Sequence, residues 1–311
     1  MAGLCDLHRH LDGSLRPATV RELARSLGQT VPADLLFRPG MGLADALSRF
    51  GFTLSLLRTP AAVERVAREI CEDAAADGVS ALELRFGPQL HVDAAARASG
   101  ITRAQILDAA LAGIAGRAGV ILCGIYGEEP DVLEELIDLA AQRPGVVGID
   151  LAGGPAPEHR ARLADYRGAF ARAATLGIGR TVHAGEGRPP SEIREAIEIL
   201  GAQRIGHGTT LLEDRAVTEL VRERGVVIEA CPTSNVHTGV IRSVDEHPLP
   251  RWLALGIRAV VCTDNTLLSD VTASGEHDRA RRLPGMTEDL FRTLIEQAPS
   301  ACFRRTRPSA P

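Results

Sequence analysis

Eight short apolar segments rich in β-branched residues recur along this 311-residue chain, and they limit its possible folds more than any other feature. Each has the length of a strand, and most are almost continuously hydrophobic, as expected of parallel strands that are buried on both faces. In chain order the segments are 4–10, 80–87, 120–127, 146–153, 179–186, 204–208, 226–231 and 257–264.

Helical patterns separate most of these segments. Apolar residues recur at helical spacing in four clear cases, which are residues 61–78, 130–142, 190–201 and 213–225. Eight parallel strands covered by helices predict an α/β fold, specifically a (β/α)8 TIM-type barrel. An open doubly wound sheet is the alternative, but no strand is followed by the glycine-rich phosphate loop that such sheets commonly carry. We therefore expect one barrel domain over residues 1–311.

Two segments lack a clear pattern. Residues 28–58 are irregular, and we expect them to form a lid-like segment over the mouth of the barrel. The chain after Pro284 also reads as irregular, and its last residues, RRTRPSAP, are expected to fray.

Composition excludes several classes of function. A net charge of −5 argues against a nucleic-acid partner, and the absence of a long apolar run argues against a membrane span or a signal peptide. The six cysteines are scattered without a CxxC pair, which predicts free buried thiols and a cytoplasmic location. No lysine occurs, so Schiff-base catalysis and a metal pair bridged by a modified lysine are both excluded.

Unusual polar residues stand where the predicted strands end, which is where barrels of this class place their active sites. Side chains alternate along a strand, so the two histidines of His8-x-His10 face the same side. The residues at these ends are His8, His10, His183, Glu186, His207, Asp264 and Asn265.

Each of these residues has a purely structural alternative when it is taken singly. A histidine at a strand end is more often a hydrogen-bonded core residue, Asp264 could cap a helix, and Glu186 could pair with an arginine. Taken together, so many buried polar groups would be costly without a shared partner. Three imidazoles and one carboxylate suit Zn²⁺, with a further position open for water. The other histidines are predicted at the surface (His91, His159, His237, His277) or at a helix start (His247).

A zinc site of this kind indicates a reaction class. Zinc-bound water loses a proton near neutral pH, and a nearby histidine and carboxylic acid can move protons. The expected chemistry is metal-assisted hydrolysis at an electrophilic carbon.

Six motifs extend this interpretation. HRHLDGS, DLAGGP, VHAGE, RIGHGT, CPTSNVHTG and TDN, in this order between about residues 4 and 270, resemble the adenosine deaminase family within the amidohydrolase barrels. The resemblance implies one zinc ion per chain, and the residues it implies as metal ligands are His8, His10, His183 and Asp264.

The resemblance also implies roles around a 6-aminopurine nucleoside. Glu186 would protonate N1 of the purine while hydroxide attacks C6, and His207 would orient or deprotonate the attacking water. Asp12 would meet the ribose hydroxyls, the backbone of Gly153 would meet N3, and Asn265 would face N7.

Three departures from the family pattern leave the substrate open. Asn265 stands where many members carry a second aspartate, the segment before the second strand is short, and GIYGEEPD lacks an arginine-histidine pair found in many members. Adenosine is the expected substrate, and aminofutalosine, free adenine and N6-methylated AMP are alternatives within the family. A zinc hydrolase acting on an amide, ester or phosphoester is a second class of function. A non-enzymatic purine- or zinc-binding protein is disfavoured, because holding zinc requires neither Glu186 nor His207.

Overall fold

A computed structural model describes residues 3–303 and confirms the barrel. Eight strands pair in parallel in chain order, from β1 to β8. The ends of β8 and β1 then meet, because the Asp264 N–H donates to the His8 carbonyl and the His10 N–H donates to the Asp264 carbonyl. The strands are β1 (Leu4–His10), β2 (Val79–Phe86), β3 (Gly119–Ile125), β4 (Val146–Ala152), β5 (Gly179–Ala184), β6 (Arg204–His207), β7 (Val227–Ala230) and β8 (Arg258–Val261).

Helices surround the strands, and each of the four predicted helical patterns is present. Prolines begin two of them, since proline has no N–H to leave unsatisfied in the first helical turn. The helices are α1 (Pro17–Ser26), α2 (Leu43–Leu56), α3 (Pro60–Ala76), α4 (Ala94–Ala98), α5 (Arg103–Ile114), α6 (Pro130–Ala141), α7 (Arg167–Thr175), α8 (Ser191–Glu198), α9 (Arg215–Arg224), α10 (Pro232–His237), α11 (Leu249–Ala254), α12 (Ala273–Arg281) and α13 (Glu288–Gln297).

Two segments expected to be irregular contain helices. Residues 28–58 include α2, whose apolar side chains recur at helical spacing, and the chain after Pro284 includes α13. Thr287 caps α13 by accepting from the Leu290 N–H, and Leu294 of α13 is buried in the core. The prediction of irregular structure was wrong there because both segments bury one apolar stripe. The terminal RRTRPSAP lies outside the described residues.

Charged side chains, rather than only aliphatic ones, occupy the barrel interior. Arg85 of β2 donates to Asp150 at 2.9 Å and to Glu229 at 2.8 Å, and all three are fully buried. Arg204 contacts the same Glu229 at 2.7 Å and Glu83 at 2.6 Å. Buried charges need such pairing, because an unpaired one is strongly destabilising. The network connects the strands beneath the mouth of the barrel.

The cysteines and the helices can be compared with the predictions of buried thiols and of no membrane span. No disulfide joins the six cysteines, and five of them are buried, as predicted, whereas Cys302 is partly exposed. Among residues 3–303, no helix combines the length and the apolar character needed to cross a membrane.

Three of the four histidines predicted at the surface are buried, so that prediction was wrong for His91, His237 and His277. Only His159 is partly exposed. The buried rings have polar contacts that a polar sequence context does not reveal. Nδ1 of His91 lies 3.0 Å from the Leu57 carbonyl, and Nδ1 of His277 lies 2.8 Å from the Ala273 carbonyl. These contacts satisfy one nitrogen of each ring and so lower the cost of burying it.

His247 was predicted at a helix start, and it lies directly before α11 and accepts the Leu249 N–H on Nδ1. Burial lowers the pKa of His247 to about 3. Because the unfolded chain binds this proton more readily, near pH 6.5, the stabilisation is full above that pH and is lost as the pH falls toward 3.

We expect the wild type to lose about 2 kcal/mol more unfolding free energy than His247→Asn between pH 7 and pH 5. Asparagine keeps an acceptor for the Leu249 N–H but does not titrate. Urea unfolding of both proteins at the two pH values measures the difference. Equal losses in the two proteins would contradict a neutral, buried His247.

Candidate active site

Eight of the nine predicted site residues line one cavity at the carboxyl ends of the strands, and the ninth, His8, is fully buried beside His10 and His183. The volume of this cavity is about 260 Å³. A larger cavity, of about 1150 Å³, lies at the opposite end of the barrel beside the strand starts and contains none of the predicted site residues. The site residues lining the smaller cavity are His10, Asp12, Gly153, His183, Glu186, His207, Asp264 and Asn265.

The side chains of His8, His10, His183 and Asp264 meet around a single point. His8 and His10 extend from β1 on the same face, and His183 of β5 lies opposite, with nitrogens of all three within 4.8 Å of one another. Oδ1 of Asp264 lies 3.5 Å from Nε2 of His8 and 3.4 Å from Nε2 of His10. Three nitrogens and one oxygen thus converge where the sequence predicts a metal.

Buried carboxylates orient two of these rings. Nδ1 of His8 lies 2.6 Å from Glu229, and Nδ1 of His183 lies 3.0 Å from Asp150. With each Nδ1–H donated to a carboxylate, each Nε2 is left with a lone pair directed at the common point. Arg85 contacts both carboxylates and so couples the two orienting groups.

The donor set fits a divalent transition metal. Nε2 of His8 is buried with no hydrogen-bond partner among the described residues, as a metal-directed nitrogen would be. The Ser234 hydroxyl donates to Oδ2 of Asp264 at 2.6 Å and so leaves Oδ1 facing the histidines. Imidazole nitrogens with one carboxylate oxygen suit zinc.

Cys231 also lies within reach of His8 and Asp264, a position that the sequence did not reveal because Cys231 ends an ordinary apolar strand. Metals bind the thiolate rather than the thiol. Burial raises the pKa of the Cys231 thiol well above its usual value, which keeps the group neutral. The histidines and Asp264 are therefore the better-suited ligands.

Glu186 and His207 lie beside the four converging groups. Oε1 of Glu186 is 3.8 Å from Nδ1 of His207, and both side chains are buried. Burial lowers the pKa of His207 to about 4, so its ring is neutral at pH 7. His207 and Asp264 both adopt left-handed backbone conformations, with φ of 69° and 60°. Such strain in non-glycine residues is typical of functional sites.

The three predicted substrate-binding residues surround the rest of the cavity. Oδ1 of Asp12 is buried without a partner among residues 3–303, and burial raises the pKa of Asp12 to about 7. Nε2 of His91, also unpartnered, lies 3.8 Å from Oδ2 of Asp12. Gly153 has a left-handed φ of 79°, and a Cβ on Gly13 would lie 1.9 Å from the Asn265 amide oxygen. Only glycine at position 13 allows this close approach.

Helix α2 forms an apolar wall over the cavity. These apolar side chains lie opposite the polar site residues. They are Leu43, Ala46, Leu47, Phe50 and Leu54 of α2, together with Phe37 from the preceding segment. The predicted lid segment therefore borders the site, and its closing over a ligand stays a prediction.

Known proteins resemble this chain over almost its full length. The family model described as adenosine deaminase matches residues 3–307. An adenosine deaminase of Shewanella halifaxensis is 35% identical over 315 residues, covering 94% of this chain and 93% of that protein. One of Mycolicibacterium vanbaalenii is 37% identical over 329 residues, covering 95% and 89%.

Structural similarity agrees with the sequence matches. The Arabidopsis N6-mAMP deaminase MAPDA superposes with a TM-score of 0.85 at 26% identity, covering 97% of this chain and 94% of that one. The resemblance carried by the six motifs is thereby confirmed, and the chain belongs to the adenosine deaminase family.

Proposed function

We propose that this protein is a zinc-dependent hydrolytic deaminase that converts an uncharged 6-aminopurine nucleoside, of the adenosine type, to the 6-oxo product and ammonia. One observation carries the proposal. Four candidate metal ligands converge beside Glu186 and His207, and no arginine of residues 3–303 lines the adjoining cavity.

The ion would be held by the imidazoles of His8, His10 and His183 and by the Asp264 carboxylate. When bound, zinc lowers the pKa of water toward neutrality and so supplies a nucleophile. We propose one such ion per chain. A cytoplasmic location is proposed because no disulfide joins the six cysteines.

The remaining polar groups activate the purine. Glu186, as a carboxylic acid, donates a proton to N1, which makes C6 electrophilic. Hydroxide from water adds at C6, and its remaining proton passes to the amino group, which leaves as ammonia. His207, neutral and 3.8 Å from Glu186, contacts the attacking water. Positioned proton donors of this kind contribute roughly 10²–10⁴-fold to the rate.

The charge of the lining favours a nucleoside over a nucleotide. The acidic side chains of Asp12, Glu186 and Asp264 face the cavity, no guanidinium of residues 3–303 lines it, and the chain has no lysine. A phosphate placed there would be buried beside acidic groups with no arginine or lysine to pair with it, at a cost of several kcal/mol. The same charge argument disfavours N6-methylated AMP, the kind of compound named for the Arabidopsis relative.

Asp12 favours a nucleoside over the free base. Its Oδ1 is buried without a partner among residues 3–303, which leaves an acceptor for a hydroxyl donor. A ribose hydroxyl supplies that donor, whereas free adenine does not. Burying an unsatisfied polar group costs about 1–3 kcal/mol, so the base should bind less well.

Ammonia release from adenosine, deoxyadenosine, adenine, AMP and aminofutalosine tests the proposal. We expect kcat/KM for adenosine to exceed that for AMP by about 100-fold or more. A preference for AMP would overturn the assignment to nucleosides. No release from any compound would overturn the deaminase and favour a zinc hydrolase of an amide or ester. Asp264→Ala serves as the inactive control.

Asn265 is expected to donate a hydrogen bond to N7 of the purine. With its amide oxygen against Gly13, the amide nitrogen is left to donate, and an asparagine donates at any pH. A 7-deaza analogue replaces the N7 acceptor by C–H and leaves that donor unpaired. We expect kcat/KM to fall roughly 5- to 150-fold, corresponding to about 1–3 kcal/mol.

The comparison is made in the wild type and in Asn265→Ala. The penalty for the 7-deaza analogue should disappear in the variant. If the wild type handles both compounds equally well, Asn265 serves only to shape the turn after β8.

A further inference from the structure

Asn235 lies in the CPTSNVHTG motif and has no role in the chemistry described above. It belongs to α10, and its side chain is fully buried. The Asn235 amide nitrogen is 3.0 Å from Nδ1 of His207, while its Oδ1 is buried without a partner in the described chain. A buried amide with one end on a site histidine and the other end unsatisfied is costly, so a compensating role is expected.

The unpaired oxygen indicates which way the amide faces. Rotating the amide by 180° would bring Oδ1 to His207 and place the NH₂ group where Oδ1 now has no partner. That group would be left as a buried unsatisfied donor, and such donors are rarer in proteins than under-satisfied acceptors. The arrangement with Nδ2 toward His207 is therefore the more stable one.

This orientation selects one form of the His207 ring. An amide N–H can only donate, so Nδ1 must accept and the single proton of the neutral ring must reside on Nε2. Nδ1 faces Glu186 and Asn235, and Asn235 lies closer, at 3.0 Å against 3.8 Å. The His207 ring centroid is 5.0 Å from that of His8, beside the converging metal-ligating atoms.

We propose that Asn235 is a positioning residue that holds His207 as its Nε2–H tautomer, so that His207 donates a hydrogen bond to the attacking oxygen and does not remove its proton. The part that concerns the attacking oxygen rests on the proposed function. Glu186, which becomes a carboxylate when it protonates N1, then takes up the proton that water loses. One proton is taken and one is given, so the transfer balances without His207.

The ¹⁵N NMR spectrum of the zinc-loaded protein with labelled histidine tests the tautomer directly. The His207 signals are assigned by their loss in His207→Gln. We expect a pyrrole-type shift at Nε2 and a pyridine-type shift at Nδ1. The opposite pattern overturns the proposal. The measurement needs no turnover, so it stands even if adenosine is not the substrate.

Two substitutions distinguish an effect of Asn235 on the His207 tautomer from an effect on packing. Asn235→Ala removes the donor and should lower kcat about 10- to 100-fold with little change in KM. Asn235→Asp supplies an acceptor and should move the proton to Nδ1, with kcat as low as in Asn235→Ala or lower. Higher kcat in Asn235→Asp than in Asn235→Ala would overturn the proposal.

Gln89 provides a matched control. It is another amide near the mouth of the barrel, with Oε1 buried and unpartnered in the described chain and Nε2 donating to the Cys123 carbonyl at 2.9 Å. Gln89→Ala should leave the His207 ¹⁵N shifts unchanged. If it moved them as far as Asn235→Ala does, the effect would be one of general packing and the proposal would fail.

Discussion

Glu186→Gln is expected to retain fold and zinc and to lose roughly 10²–10⁴-fold in kcat. Glutamine preserves the size and most polar contacts of the side chain, but its amide cannot release a proton to N1. C6 then stays weakly electrophilic, and water attacks slowly. Steady-state kinetics, with the zinc content of the same preparation, measure the effect.

Glu276→Gln is the matched control for that experiment. Glu276 is also buried, but it binds Thr233 and does not line the cavity. Burial raises the pKa of Glu276, whereas hydrogen bonds from Thr233 and Arg279 favour its charged form. Its turnover should stay close to that of the wild type. Wild-type turnover in zinc-loaded Glu186→Gln would show that Glu186 has only a structural role.

Loss of the metal ligands is the second large effect. His183→Ala removes one of three converging imidazoles and should abolish stoichiometric zinc binding together with activity. Asp150→Asn keeps the ligand but weakens the orientation of His183 through Nδ1, and we expect zinc affinity to fall about 10- to 100-fold. Metal analysis and competition with a chelator give both values.

His207→Ala is the contrasting variant, because His207 is assigned to the attacking water. It should lose turnover and keep about one zinc per chain. Equal metal loss in His207→Ala and His183→Ala would make His207 a ligand. Full zinc occupancy in His183→Ala would remove His183 from the proposed metal site.

Local sequence patterns were sufficient to predict the barrel architecture and the polar residues at the strand ends. Strand residues alternate between two faces, so His8 and His10 share a direction whatever lies around them. Eight buried strands with intervening helices restrict the topology to a few arrangements, and the carboxyl ends then converge. The strand and helix patterns each involve only a few neighbouring residues, and for that reason they can be recognised in a single sequence.

The groups that orient those residues were decided by the tertiary structure. Glu229 is 221 positions from His8, and Asp150 is 33 positions from His183. Neither carboxylate has a local pattern that marks its partner, since each sits in a strand that reads as apolar. The roles of Glu229, Asp150, Asn235 and His91 follow from contacts that only barrel closure creates. The sequence by itself determined which chemical groups lie at the mouth of the barrel. The orientation of those side chains was decided by packing between residues that are distant in the chain.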